Sequence, residues 1–279
     1  MRRLRRLRKL RGLRKLRKLR RLRGLRMLRG LGVAVVMVGL MALAGCRRQA
    51  VERVEWVSMG TVAAVQARGA TDDVLAKARS VAQAECGEVE LLLNAHEKSS
   101  EISRLAGRAD EDVLAACDAK VRPCYAVAFA LAKLTAGAFN PRWRGANTLD
   151  LGAIAKGFAV DLAAQAVAGK TETGDILLDL GGNLKAVRGD WTVGVKDGET
   201  FTLREGEACA TSARYYRGDH IKDGRTGSDV ANGIYSVTVV HPTSAMLADG
   251  LSTVLFILGR EKGTAFVKEH YPEVRVFWL

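Results

Sequence analysis

The distribution of charge along the chain limits which part of it can fold. Residues 1–45 contain 16 of the 44 Lys and Arg residues and no acidic residue, whereas the rest of the chain carries 28 basic and 30 acidic residues. Within residues 1–30 leucine recurs at about every third position, and on a helix of 3.6 residues per turn this spacing makes no fixed apolar face. A packed core must therefore come from the 234 residues that follow. Their slightly negative charge gives no electrostatic footprint for nucleic acid.

An apolar run joins the basic segment to the rest of the chain. Leu31–Cys46 reads LGVAVVMVGLMALAGC, which is short for a membrane span and typical of the h-region of a signal peptide. The small residues before Cys46 resemble the lipobox of bacterial lipoproteins, where the cysteine is lipidated and begins the mature chain. The alternative is an ordinary membrane anchor with a chance cysteine. Because a start at Met27 gives a signal of ordinary length, we interpret residues 1–26 as a mis-assigned start or a dispensable extension.

The expected organisation is a basic extension plus lipoprotein signal peptide over 1–45, a tether over 46–53 and one domain over 54–279. Apolar patterns in this domain predict alternating strands and helices. We therefore predict an α+β fold, a single domain with a mixed or mainly antiparallel sheet flanked by helices. The predicted elements are a strand over 54–68, a helix from Thr71 or Asp72 to about Ala95, a helix over 123–136, a short strand at Leu149 leading into a helix, a strand–turn–strand over 176–189 continued in the same sheet from Trp191, a strand in YSVTVVHP, a helix pair or a helix and turn from Ser244, and a last strand in VRVFWL.

Four cysteines follow Cys46, namely Cys86, Cys117, Cys124 and Cys209. An even number of cysteines outside the cytoplasm is compatible with disulfides. Cys117 and Cys124 are close in sequence, so they are the expected pair; buried free thiols are the alternative.

The stretch LDLGAIAKGFAVD, from Leu149, places Lys156 between Gly152 and Gly157 at the start of a predicted helix. Backbone amides at a helix start, together with a lysine, form a suitable cradle for an anion. Neither the P-loop nor the dinucleotide-binding glycine pattern is matched. The alternative is a glycine needed only for close packing, with an exposed lysine.

Two further groups carry chemistry. Asp249 and Thr253 are four residues apart and share one face of a helix. Their oxygens suit Mg²⁺ that keeps water and substrate phosphate, with Ser252 adjacent; an N-cap or a solvated helix turn is the alternative. The stretch GDHIKDGRTG adds His220 and Arg225, and an arginine fork suits phosphate.

The motifs LDLGAIAKGFAVD, LLDLGGNL, ATSARYY…GDHIKDGRTG and SVTVVHPTSAMLADGLSTVLFILGREKG, with SMGT before them, together resemble the ApbE-type FAD:protein FMN transferases. The resemblance runs from about Met59 to the C-terminus. It implies an exported lipoprotein that uses Mg²⁺ to transfer FMN from FAD to a Ser or Thr hydroxyl of an acceptor protein, releasing AMP. The acceptor implied is a subunit of a membrane redox complex. The location implied is the cell envelope, lipid-anchored through Cys46 and facing the periplasm or the outside.

The resemblance also implies roles for individual residues. Asp249 and Thr253 match metal ligands, and Ala153 matches a third that offers its backbone carbonyl. Either Asp249 or His220 accepts the proton. The residues that match FAD contacts are Met59, Gly137, Ala138, Phe139, Asp150, Lys156 and His220, and Arg225 is the expected phosphate contact.

Three departures from the family pattern are visible. The segment between GAFNP and LDLGAIAKG is short, His96 stands where an aromatic residue often stacks on the flavin, and Gly224 replaces a proline. Two alternative functions follow, an FAD pyrophosphatase that gives FMN and AMP, and a non-catalytic flavin-binding lipoprotein. A third, adhesion to membrane or nucleic acid through the arginine-rich segment, requires that segment in the mature protein.

Overall fold

The computed structural model describes residues 50–195, 199–214 and 221–279. The basic segment, the predicted signal peptide with Cys46, and His220 lie outside the described residues. The predictions made for them stay predictions.

Seven strands form one sheet, in the spatial order β1-β2-β3-β4-β7-β8-β9, and every neighbouring pair is antiparallel. A separate two-stranded sheet pairs β5 with β6. The strands are β1 Val51–Ser58, β2 Thr61–Arg68, β3 Asp175–Leu180, β4 Asn183–Arg188, β5 Trp191–Gly194, β6 Thr200–Leu203, β7 Ala208–Ala213, β8 Ser236–His241 and β9 Arg275–Trp278.

The helices are α1 Asp72–Leu93, α2 Glu101–Leu105, α3 Asp110–Ala116, α4 Arg122–Leu134, α5 Ala155–Lys170 and α6 Ala245–His270. Thr71 caps α1, as its position before two aspartates predicts. α6 is interrupted at Gly259, whose φ of 78° is not helical. Among the described residues, no helix combines the length and the apolar character needed to cross a membrane.

The sheet separates two apolar clusters. The larger packs α1, α4, α5 and α6 on one face, and the smaller packs the β5–β6 hairpin, through Trp191, Phe201 and Leu203, on the other. α5 is buried on most of its circumference because it lies among α1, α6 and the sheet. The predicted α+β fold with an antiparallel sheet and flanking helices is confirmed.

Some predicted elements were wrong. Residues 54–68 are a hairpin and not one strand, because Met59 and Gly60 form a two-residue turn with φ of 49° and 69°. Leu149–Leu151 is not a strand, so α5 starts from a turn. Trp191 lies in the separate two-stranded sheet.

The predicted Cys117–Cys124 disulfide is also wrong. Both residues, like Cys86 and Cys209, are buried free thiols. Burial raises the pKa of the Cys86 and Cys209 thiols to about 12.

Candidate active site

A cavity of about 720 Å³ opens where the start of α5, the middle of α6, the β3–β4 turn and the end of β7 meet. The structure brings six of the predicted site residues together in its lining, which are Phe139, Asp150, Ala153, Lys156, Asp249 and Thr253. These residues span more than one hundred positions in sequence, so the tertiary fold assembles the site.

Asp249 is the buried carboxylate of this cavity, with 6% of the residue exposed. Its Oδ2 accepts a hydrogen bond from the Gly157 amide at 2.9 Å, and Lys156 Nζ lies 3.9 Å from the same oxygen. Oδ1 accepts no hydrogen bond from the part of the chain that the structure describes. Burial raises the pKa of Asp249, and Lys156 and the Gly157 amide partly offset this effect.

Gly157 lets α5 approach α6 closely enough for this contact. A Cβ at position 157 would lie 2.2 Å from the Ala245 carbonyl oxygen and 2.7 Å from Asp249 Cβ. The close packing that was the alternative role for this glycine is therefore present, and it is packing between two helices. The same close approach carries the amide to the carboxylate, so one glycine serves both the packing and the site.

Hydroxyl groups surround the next turn of α6. Thr253 Oγ1 lies 3.3 Å from Ser212 Oγ, which also hydrogen-bonds Ser252 Oγ at 2.9 Å. Ser252 is buried and donates to the Asp249 carbonyl, so it belongs to the helix rather than to the cavity lining. Thr253 is the hydroxyl of this turn that reaches the cavity.

The donor set at this end of the cavity is a carboxylate from Asp249, a hydroxyl from Thr253 and the backbone of Ala153. Among the described residues, no group of three or more His, Cys, Asp or Glu side chains is placed to hold a metal ion. A buried carboxylate with one oxygen free, beside neutral oxygen donors, fits Mg²⁺ that retains water and phosphate oxygens as its other ligands. The residues present therefore fit the predicted metal.

The turn before α5 differs from the predicted anion cradle. The Gly152 amide donates to Asp150 Oδ1 at 2.8 Å, and the Gly157 amide donates to Asp249. Both glycine amides therefore donate their hydrogen bonds to carboxylates of the protein and are not free to bind an anion. Lys156, whose Nζ also donates to the Gly152 carbonyl at 3.1 Å, is a cation that lines the cavity beside this turn.

A second cavity of about 370 Å³ adjoins the first and shares His96, Asp150, Gly152 and Lys156 with it. Met59 lines this second cavity. Its amide and the Ser58 hydroxyl both donate to the Glu90 carboxylate, at 2.8 and 3.1 Å, which ties the hairpin turn to α1.

Gly137, Ala138 and Arg225 lie outside the lining of both cavities. Arg225 pairs with Asp223, which lowers the pKa of that carboxyl. The Gly224 amide donates to the Ala138 carbonyl at 2.9 Å, and a Cβ there would lie 2.3 Å from Asn140 Cβ. Proline cannot replace Gly224 here, since it lacks the donor and needs the space.

Sequence reasoning missed three residues of this region. The Asp161 carboxylate accepts hydrogen bonds from two amides at the start of α6, although Asp161 lies within the quoted motif four residues after Gly157. Trp143 and Asn183 line the large cavity, and the buried Asn183 Oδ1 has no hydrogen-bond partner among the described residues. A lone tryptophan in a loop, or a lone asparagine at the start of a strand, gives no signal by spacing alone.

Residues 142–278 match the model of the ApbE family. An FAD:protein FMN transferase of Klebsiella pneumoniae is 36% identical over 137 residues, covering 43% of this chain and 42% of that protein. One of Treponema pallidum is 31% identical over 159 residues, covering 47% of this chain and 43% of that protein. The chain thus spans less than half the length of these curated relatives.

The solved structure of the flavin transferase ApbE from Vibrio cholerae superposes with a TM-score of 0.67 at 22% identity, over 82% of this chain and 94% of that one. This likeness shows that the two chains share a fold, and it extends beyond the segment matched in sequence.

Proposed function

We propose that this chain, whose residues 142–278 match the model of the ApbE family, is an enzyme that transfers FMN from FAD to a Ser or Thr hydroxyl of an acceptor protein and releases AMP. The observation that carries this proposal is one cavity that combines Asp249, Thr253, Ala153 and Lys156. The adjoining second cavity, which shares Lys156 and Asp150, supports a long dinucleotide as the ligand.

In the proposed reaction the acceptor hydroxyl oxygen bonds to the phosphorus of the FMN half, the bond between that phosphorus and the bridging oxygen breaks, and AMP leaves. Lys156 binds a phosphate oxygen, and the β7 and α6 backbones hold the hydroxyl groups of Ser212 and Thr253 at the cavity wall. Asp249, Thr253 and the Ala153 carbonyl would hold Mg²⁺, which when bound neutralises phosphate charge.

The acceptor hydroxyl must lose a proton during transfer. Asp249 has a buried carboxylate with a raised pKa, and its Oδ1 accepts no hydrogen bond from the described residues, which suits a proton acceptor. His220 is the other candidate and lies outside the described residues. The pH dependence of the rate in the variants Asp249→Asn and His220→Gln separates the two.

For location and partner, we infer lipid anchoring through Cys46 at the bacterial cell envelope and an acceptor in a membrane redox complex. Metabolic labelling with a fatty acid, in the wild type and in Cys46→Ser, tests the anchor. Absence of label in the wild type overturns it.

The activity is tested by incubating the full chain with FAD and Mg²⁺, with and without a candidate acceptor peptide, and measuring AMP by chromatography and peptide mass. We expect an FMN adduct that is lost in Asp249→Ala. AMP without adduct across acceptor candidates favours the FAD pyrophosphatase. Bound FAD without AMP overturns both enzymes and leaves a flavin-binding protein.

A further inference from the structure

The short loop from Phe139 to Asp150 contains neither helix nor strand, yet its backbone is held firmly by Arg142. The Arg142 guanidinium donates to Asp110 Oδ1 at 2.8 Å and to the carbonyls of Ala106 and Arg108, both at 2.7 Å. It also donates to the Ala146 carbonyl of the loop itself at 2.9 Å. The loop is therefore tied to the α2–α3 region. Because Arg142 is held in this way, the backbone of the next residue, Trp143, has a fixed position.

Trp143 lines the large cavity, and both its edge and one of its faces are engaged. Its indole Nε1 donates to Asp150 Oδ2 at 3.3 Å, and the Arg144 guanidinium lies 4.6 Å from the ring centroid. Arg144 also pairs with Asp150 Oδ2 at 3.3 Å. These contacts set the plane of the indole within the cavity wall.

Both oxygens of the Asp150 carboxylate contact groups of the protein. One oxygen accepts a hydrogen bond from the Gly152 amide, and the other accepts one from Trp143 and forms an ion pair with Arg144. The Asp150 amide donates to the Pro141 carbonyl at 2.8 Å. A carboxylate engaged in this way acts on a ligand chiefly through the groups that it holds. Repulsion between the Asp150 carboxylate and phosphate also argues against direct contact with the phosphate groups of a dinucleotide.

We propose that Trp143 is the platform on which a flat ring of FAD stacks, on the face opposite Arg144, and that Asp150 is a positioning residue for this platform. The inference rests on the proposed function for the identity of the ligand. Stacking on an indole needs a ring held in a fixed plane, and the two contacts of Trp143, together with the Arg144–Asp150 ion pair, supply that condition. The flavin and adenine rings of FAD are both flat and can both stack on an indole. FMN and AMP therefore serve as separate probes for the two rings.

The experiment measures binding of FAD to the full chain in detergent and EDTA, where turnover is blocked, by quenching of tryptophan fluorescence. The variants are Trp143→Leu, Trp143→Phe and, as the matched control, Trp191→Phe. Trp191 is another tryptophan under an arginine, with Arg68 4.1 Å from its ring centroid, and it is not part of either cavity lining. Thermal unfolding and circular dichroism establish that each variant is folded.

We expect Trp143→Leu to weaken FAD binding about tenfold, which corresponds to about 1.4 kcal/mol, and to remove most of the quenching. Trp143→Phe should retain affinity within about threefold, since base stacking tolerates any aromatic face. Trp191→Phe should bind as the wild type does. The same pattern with FMN but not AMP assigns the flavin ring, and the reverse assigns adenine.

The positioning role of Asp150 is tested by a double-mutant cycle. Asp150→Ala should weaken FAD binding severalfold in the wild type and have little further effect in Trp143→Leu, because its effect runs through the indole. Additive losses would overturn the positioning role. Wild-type affinity in a folded Trp143→Leu, or a wild type that binds no FAD, would overturn the platform.

The proposed function can fail separately. If FAD binds and quenches Trp143, but no AMP or adduct forms with Mg²⁺, the transferase is overturned and the platform stands.

Discussion

At the scale of the single residue, Asp249 shows the conflict between stability and function most clearly. Its carboxylate is buried and receives one backbone hydrogen bond and one lysine at 3.9 Å. Burial therefore raises its pKa, which means that the ionised form destabilises the metal-free fold. Residues that bind charged ligands often carry such a cost.

Asp249→Asn is expected to raise the free energy of unfolding of the metal-free protein at pH 7 by about 1 kcal/mol, while retaining an acceptor for the Gly157 amide. Because a raised folded pKa contributes stability below the unfolded value of 3.8 and loses it as the pH rises through the folded pKa, the gain should shrink as the pH falls. The measurement is denaturant unfolding in EDTA at several pH values.

Asp223→Asn is the control, for which the expected change in the free energy of unfolding has the opposite sign. Its hydrogen bond to Arg225 lowers the pKa of Asp223, so the substitution should lower stability at pH 7. A loss of stability in Asp249→Asn equal to that in Asp223→Asn would contradict the account of Asp249.

At the scale of secondary-structure elements, the joint between α5 and α6 decides where Asp249 lies. Asp161 accepts hydrogen bonds from the Ser244 hydroxyl at 2.8 Å and from the Ala245 and Met246 amides at 2.9 Å. Lys185 Nζ adds an ion pair at 3.0 Å. A carboxylate at the start of α6 satisfies free amides and matches the helix dipole, so α6 begins at a fixed distance from α5.

Asp161→Ala is expected to cost about 2 kcal/mol of stability and, in addition, to weaken FAD binding in the presence of Mg²⁺, because Asp249 follows one turn after the amides that lose their acceptor. Thr71→Ala removes the cap of α1 and should lower stability without changing FAD binding. Thermal unfolding and FAD titration measure the two effects. Equal FAD affinity in Asp161→Ala and Thr71→Ala would show that the joint does not position the site.

At the scale of the whole molecule, no disulfide crosslinks the described part of the chain. Its four cysteines are free and buried, with at most 4% of each residue exposed. For Cys124, burial and the nearby Asp249 charge raise the pKa of the thiol beyond its usual range. A thiolate, the reactive form, is disfavoured at each site whose pKa is raised.

Reduction with dithiothreitol is therefore expected to leave the unfolding temperature unchanged within about 1 °C, because a disulfide that closes a loop typically adds 2–4 kcal/mol. In Cys46→Ser, a thiol reagent should label no cysteine of the native protein and four of the unfolded one. Fewer than four labelled cysteines after unfolding would indicate a disulfide.

The amino-acid sequence predicted those elements whose cause is local. Thr71 and two aspartates start α1, and the pair Gly181–Gly182 turns β3 into β4 with φ of 61° and 90°. Each of these signals comes from residues that are neighbours in the chain, so it can be recognised in the amino-acid sequence. Gly152, Lys156 and Asp249, which the motifs singled out, likewise line the cavity.

Only the tertiary structure decided the rest, because the cause lies far away in sequence. Met59 adopts a positive φ that its residue type disfavours, and the Glu90 carboxylate in α1 holds it there, so one predicted strand became two. Gly157 meets Asp249 across 92 positions, which turned a predicted cradle for an anion into a contact between an amide and a buried carboxylate. Local patterns determine which elements form; the contacts between elements decide what each polar group faces.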